Sequence, residues 1–288
     1  MRTLKIFVLA TFMAVAAYSA NAESIDAGRG DVPLTVPEGY SKNSPAPLVV
    51  LLHGYTSSGK QQEGYMKFGA LADEYGFLFL NPDGTVEKSD DENRFWNATP
   101  ACCNFYESEV DDSDYLHGLI DETKKQYNVD PNRIYLIGHS NGGFMSHRMA
   151  YDHPDTIAAI ASLAGAAIPD MKGSAPDRPV SILQIHGTKD TIIDYEGGDI
   201  NGVNYPSAVE TSALWLEYNG FDVGKMGLVE KLDLDRRIEG EDTTVTEYAE
   251  DGAVELWTIN DGSHIPAISE DFTRLVIEWL FAHPKSEK

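Results

Sequence analysis

The chain is expected to fold as a single α/β domain, a mostly parallel twisted sheet with helices on both faces. Three observations carry that expectation. Short apolar runs alternate with amphipathic stretches of helical length. No internal repeat, low-complexity tract or Pro/Ser-rich linker divides residues 23–288. The 288 residues are 42% hydrophobic, enough for one sizeable core, while the two cysteines, Cys102 and Cys103, are adjacent and cannot staple distant segments.

In chain order, Arg2 and Lys5 precede an apolar run from Ile6 to Ala17, and Ala20-Asn21-Ala22 has the small-x-small pattern that a signal peptidase reads. Residues 1–22 are therefore expected to be a signal peptide cleaved near Ala22, with an extracellular or periplasmic destination and residues 23–288 as the folded domain. The apolar run is shorter than the about 20 residues of a membrane-spanning helix, and no later segment qualifies. Leu48–Leu52, Phe77–Leu80, Arg133–Ile137, Ile157–Leu163, Val180–Ile185 and Val254–Ile259 read as buried strands, because strands covered on both faces are continuously apolar. Helices are expected at about residues 60–75, 112–127, 142–152, 206–219 and 270–282. Asp112 or Ser113 is placed to cap the second, and Asn128 with Asp130-Pro131 to end it. Leu228–Tyr248 is charged with Thr-rich alternation, and is expected to make an antiparallel excursion before the strand at 254.

Against 22 Lys and Arg stand 46 Asp and Glu, a formal net charge of −24. A surface this acidic repels phosphate backbones and anionic headgroups, which argues against nucleic acid, membrane surfaces and polyanionic substrates. Neutral small molecules and neutral polymers remain, and no obligate protein partner is evident. Losing residues 1–22 would remove two cations, and the remaining charge suits surroundings where salt screens self-repulsion.

The chemistry concentrates at Gly138-His139-Ser140-Asn141-Gly142, followed by Gly143. This stretch ends one expected strand and opens a helix, the context that a Gly-x-Ser-x-Gly nucleophile turn requires. Such a turn exposes Ser140 Oγ at the carboxyl edge of the sheet, and the glycines remove Cβ atoms that would collide with neighbouring elements. A serine nucleophile needs a base and an orienting acid, which in this architecture follow in the order Ser, Asp or Glu, His. Asp190 lies in the loop after Val180–Ile185, and His264 in the loop after Val254–Ile259. Both therefore belong to the edge that carries Ser140. Asp194 competes with Asp190 but sits farther from its strand end.

His139 occupies the variable position of the turn and His186 ends a strand. His147, His153, His283 and His117 fall on or beside helices, and His53 reads as a structural loop residue. The backbone N–H groups of Asn141 and of Tyr55, in the loop His53-Gly54-Tyr55-Thr56, are expected to form the oxyanion hole. Tyr55 and Trp96 are candidate walls for the substrate. No metal or organic cofactor is expected: Asp90-Asp91-Glu92 and Asp111-Asp112-Asp114 lack the glycine and terminal glutamate of a calcium loop. Cys102 and Cys103 have no Cys-x-x-Cys spacing for a metal, which leaves a vicinal disulfide or two buried thiols.

Together these motifs resemble the secreted polyhydroxybutyrate depolymerase/feruloyl esterase-like family of α/β-hydrolases. The resemblance spans nearly all of residues 23–288 and includes Leu51-Leu52-His53-Gly54, Asn81-Pro82-Asp83-Gly84, Trp96-Asn97-Ala98 with Cys102-Cys103, Val110-Asp111-Asp112, Gly138–Gly143, His186–Asp190 and Gly262-Ser263-His264. It implies an α/β-hydrolase fold and serine carboxylesterase chemistry, with Ser140 as nucleophile, His264 as base and Asp190 as orienting acid. The implied substrates are hydroxyalkanoate oligomers or hydroxycinnamoyl and acetyl esters on plant polysaccharide. Members often carry Asn-Gly-Cys where this chain has Asn219-Gly220-Phe221, so a second disulfide is not expected. Many follow the histidine with Trp-Pro, where Ile265-Pro266 stands here, which bears on acyl specificity. The loop His53–Thr56 also looks like that of cutinase-like polyester hydrolases. A serine peptidase is the alternative, since the same triad cleaves amides, although such relatives usually add a propeller or cap domain.

Overall fold

The computed structural model describes residues 23–286 apart from 89, 222 and 250–252, so the expected signal peptide lies outside the described residues. Two short strands, β1 (Glu23–Asp26) and β2 (Asp31–Thr35), open the fold, followed by β3 (Ala46–Leu52) and β4 (Leu78–Leu80). A hairpin of β5 (Thr85–Glu87) and β6 (Asp90–Phe95) precedes β7 (Val129–His139), β8 (Ala159–Leu163) and β9 (Ser181–Gly187). A second hairpin, β10 (Gly198–Ile200) and β11 (Val203–Tyr205), precedes β12 (Val223–Leu232), β13 (Thr243–Ala249) and β14 (Val254–Ile259). Ten of these strands form one sheet in the order β1-β2-β4-β3-β7-β8-β9-β14-β13-β12. From β4 to β14 every pairing is parallel, and antiparallel ribbons close both edges. The expected excursion at 228–248 is the β12–β13 ribbon. The first two strands and the small hairpins were not expected, because three to six residues, one of them Pro33, give too little alternation to read.

The helices are α1 (Gly59–Met66), α2 (Ala72–Tyr75), α3 (Asp112–Gln126), α4 (Asn141–Asp152), α5 (Ala208–Asn219) and α6 (Phe272–Ala282). The single helix expected over 60–75 is broken: Lys67 takes a left-handed φ of 58°, and a 3-10 turn spans Phe68–Leu71. The break has a packing reason. Met66 and Phe68 are both buried in the same cluster, and two residues two apart cannot share one face of an unbroken helix. The cap of α3 is Asp111 rather than Asp112 or Ser113, its carboxylate taking the Asp114 N–H at 2.8 Å. Pro131 lies inside β7, so α3 ends earlier, at Gln126.

Period-two alternation along β3 assigns its residues to two cores. Leu48, Val50 and Leu52 pack with Leu116 of α3, Phe144 of α4 and Trp215 of α5. Val49 and Leu51 pack on the other face with Met66 of α1 and Phe272, Val276 and Leu280 of α6. Every residue of β3 is buried, as a strand covered on both faces requires. The carboxyl ends of β7, β9 and β14 therefore project from a sheet clamped on both sides.

Candidate active site

At the end of β7 the chain turns at Ser140, whose φ of 55° and ψ of −121° are strained for a residue with a Cβ. The turn is held by the Ser140 N–H, which donates to Leu163 O at 2.8 Å. It is also held by lack of room: a Cβ on Gly138 would lie 2.0 Å from Gly142 O, and one on Gly142 would lie 2.3 Å from Leu52 O. Both glycines are thus required by close backbone approach rather than by flexibility.

Strand β9 leads to Asp190 and β14 to His264. A Cβ on Gly187 would lie 2.3 Å from Gly262 O, so the two loops run in backbone contact, and Lys189 N–H donates to Gly262 O at 2.8 Å. His264 sits between its two partners, with Nδ1 2.7 Å from Asp190 Oδ2 and Nε2 3.0 Å from Ser140 Oγ. The buried Asp190 accepts the N–H groups of Ile192 and Ile193 on Oδ1 at 2.8 and 2.9 Å, and His186 Nε2 lies 3.3 Å from Oδ2. Burial alone would raise its pKa. The bonds from His186 and His264 outweigh that penalty and hold the carboxyl far below the usual range. Asp194, the competing acid, is exposed and engaged in a local turn, its Oδ1 accepting the Glu196 N–H at 3.0 Å.

Two histidines given only positional explanations touch this array. His139 is buried, and its Nε2 donates to His264 O at 2.9 Å. Burial first, then the adjacent His264, push its pKa down to about 4, so the ring is neutral near pH 7 with its proton on Nε2. His186 donates to Ile193 O at 2.8 Å beside Asp190. No local pattern in the sequence signals either contact. His53 is structural, as expected: Nδ1 donates to Gly54 O and Nε2 accepts the Gly84 N–H, each at 2.8 Å.

Gly54 lies against the turn, a Cβ there falling 3.4 Å from Ser140 Cβ, which brings the Tyr55 backbone beside the serine. Among the described residues the Tyr55 N–H has no acceptor. The Asn141 N–H opens α4, where first-turn donors have no intrahelical partner. The Asn141 side chain has a role of its own: its amide clasps the Trp96 backbone, Oδ1 accepting the N–H at 2.7 Å and Nδ2 donating to the carbonyl at 2.9 Å.

Trp96 corrects an expectation. It has no exposed surface, donates Nε1 to His53 O at 3.0 Å and packs in the core, so it cannot stack on a substrate. Tyr55, Tyr65, Ile192 and Ile265 line, with Ser140 and His264, a cleft of about 560 Å³. Ile192 and Ile265 are 64% and 56% exposed. The Tyr55 hydroxyl donates to the buried Glu87, and its ring meets Phe105 edge-on at 5.2 Å. Cys102 and Cys103 are disulfide-bonded to each other and buried. Among the described residues no group of three or more His, Cys, Asp or Glu is arranged for a metal. Asp112 is buried and occupied by Arg29, Thr85 and the Asn97 N–H, while the side chains of residues 90–92 lie outside those described.

A serine on a strained strand-to-helix turn, an imidazole and a buried carboxylate, all at the carboxyl edge of a mostly parallel sheet, define the class of α/β-hydrolases. Residues 39–202 match the family described as phospholipase/carboxylesterase, and the chain belongs to it. It is similar to a bifunctional acetylxylan esterase/xylanase of Neocallimastix patriciarum, 32% identical over 59% of this chain and 22% of that protein. It is also similar to a feruloyl esterase B of Piromyces equi, 30% identical over 64% of this chain and 34% of that protein. A poly(3-hydroxyalkanoate) depolymerase C of Paucimonas lemoignei is 31% identical over 45% and 30%. The chain thus spans less than half the length of these curated relatives. Among solved structures, an acetyl xylan esterase from Aspergillus awamori shares the fold, with a TM-score of 0.65 over 90% of this chain and 97% of that one at 15% identity. No helix among the described residues is long and apolar enough to cross a membrane.

Proposed function

We propose that this chain is a secreted serine carboxylic-ester hydrolase acting on neutral esters through an acyl-enzyme. One observation carries the reading: His264 bridges Ser140 Oγ and Asp190 Oδ2 at 3.0 and 2.7 Å. His264 Nε2 takes the Ser140 proton as Oγ attacks the ester carbonyl. The ionised Asp190 fixes the Nδ1–H tautomer and stabilises the imidazolium that forms. The Asn141 and Tyr55 N–H groups receive the oxyanion, each donor worth about 10²–10³ in kcat. The imidazolium then protonates the leaving alcohol, and water activated by the same ring releases the acid.

The exposed Ile192 and Ile265 beside Tyr55 make an apolar, uncharged rim, and the acidic surface disfavours anionic substrates. These features, with the names of the relatives, support feruloyl or acetyl esters of plant polysaccharide, or hydroxyalkanoate oligomers, as substrates. The open aromatic-aliphatic rim also suits a synthetic aromatic polyester. Secretion rests on the motif in residues 1–22. A hydrolysis panel of methyl ferulate, acetylated xylan, hydroxybutyrate oligomers and an aromatic polyester, beside peptide chromogenic substrates, tests the reading. Turnover of the esters with none of the peptides is expected. Peptide cleavage without ester hydrolysis, or no labelling of Ser140 by a fluorophosphonate, would overturn it.

A further inference from the structure

The crossing from β12 to β13, residues 233–242, makes no contact with Ser140 or Asp190 in the hydrogen-bond pattern, yet it fastens the His264 loop from both sides. On the upstream side Asp242 O accepts the N–H and Nδ2 of Asn260 at 2.9 and 2.7 Å, just before the loop begins. The buried Asp242 carboxylate in turn accepts the N–H groups of Leu234 and Asp235 at 3.1 and 2.8 Å, which sets the shape of the crossing. On the downstream side the buried Asp235 accepts the Ala267 N–H at 3.0 Å, while Arg236 N–H donates to Ala267 O and Ser269 N–H to Leu234 O, each at 2.9 Å.

Arg237 closes the clamp. Its guanidinium is held by Asp235 at 3.2 and 3.3 Å, and donates to Ile265 O at 2.7 Å and Ser263 Oγ at 3.1 Å. These are the residues immediately before and after His264. A planar guanidinium paired with a buried carboxylate is a rigid strut, and Ile265 O has one other contact, from Ser263 Oγ at 3.2 Å.

We propose that residues 233–242 are a positioning element for His264 and that Arg237, outside the reacting array, sets the register of the imidazole between Ser140 and Asp190. The inference rests on His264 as the base. Imidazole displacements well under an ångström break a hydrogen-bonded relay, and misplacement by about 1 Å costs about 10²-fold in rate.

The test uses Arg237→Ala and Arg237→Lys in the whole chain with p-nitrophenyl acetate, whose small acyl group is insensitive to the rim. Arg237→Ala should lower kcat about 10–100-fold with KM changed less than about twofold and the melting temperature nearly retained. Guanidinium chloride at about 20 mM should restore part of that kcat, whereas KCl at equal ionic strength should not, since Arg237 is half exposed and its vacated place is open to a small cation. Lysine should give an intermediate kcat, because one ammonium cannot hold Asp235, Ser263 and Ile265 together. If Arg237→Ala fails to fold, Ser263→Ala, which removes one guanidinium contact, should still lower kcat by about two- to fivefold. Wild-type kcat in these variants would overturn the proposal. So would a loss that tracks the unfolded fraction and ignores guanidinium. Ser140→Ala is run in parallel: if it hydrolyses the ester, the base assignment itself fails, whereas an inert Ser140→Ala beside a fully active Arg237→Ala overturns only the positioning role.

Discussion

Ser140 and His264 meet at 3.0 Å, but the chain holds them by opposite means. Ser140 is fixed sterically, by glycines with no space for a Cβ against the turn itself at Gly142 O and against β3 at Leu52 O. His264 is fixed by hydrogen bonds reaching its loop from distant segments: Arg237 to Ile265 O, Tyr65 to Pro266 O and His139 to His264 O. The first arrangement is all-or-none, since a backbone overlap cannot be relieved by a small movement. The second is graded, because each bond contributes only about 0.5–1.5 kcal/mol. The difference teaches where variation is tolerated: the turn accepts almost none, and the base loop accepts loss in instalments.

The largest expected effect is on the steric side. Ser140→Ala should lower ester turnover by about 10⁴–10⁶-fold while circular dichroism and melting temperature stay near wild type. Gly142→Ala should be nearly as damaging for a different reason. Its Cβ would lie 2.3 Å from Leu52 O, so unfolding is expected to become easier by more than about 3 kcal/mol, read as a large drop in urea midpoint. A soluble, active Gly142→Ala enzyme would end the steric half of the comparison.

His139 belongs to both regions, and it makes the coupling pH-dependent. Burial pushes His139, and likewise His147 under Trp215, down to about 4 from 6.5. The unfolded chain takes up protons near pH 6.5 and the folded one only near 4, so stability is complete above 6.5 and is lost as pH falls between those values. Each imidazole accounts for about 3 kcal/mol by pH 4. Asp190, with its pKa depressed, adds its loss only below pH 3.8. Half-buried Glu63, pushed up to about 7 by desolvation, opposes them between pH 7 and 4.5. The check is therefore a difference: the urea midpoint should fall more between pH 7 and 4 in the wild type than in His147→Gln, a site remote from the cleft. Equal pH dependence in the two proteins would show that His147 is not held neutral. The smallest effect belongs to the graded side: Tyr65→Phe removes one bond to Pro266 O and should cost about 1 kcal/mol, with kcat reduced less than about fivefold.

Much of this was legible from the residues. The six parallel strands were visible because strands covered on both faces are apolar throughout, and Ser140 because its neighbours must be glycine in so tight a turn. Asp190 and His264 were legible as loop positions after buried strands. The break at Lys67 was not, since only the folded core shows that Met66 and Phe68 must be buried on the same side. Trp96 was misread as a substrate wall because an aromatic near a site looks the same in sequence whether it faces a cleft or, as here, donates to His53 O within the core.

The sequence by itself determined the layered α/β fold, the sharp turn at Ser140 and the edge of the sheet where the loops of Asp190 and His264 emerge. Those follow from period, backbone sterics and strand direction, which act within a few residues. Only the tertiary structure decided what reaches the His264 loop: Arg237 on Ile265 O, the neutral His139 on His264 O and the anchoring of Asn260 by Asp242. Each pairs residues whose separation along the chain carries no pattern, so their meeting exists only after the sheet has aligned β13, β14 and β7.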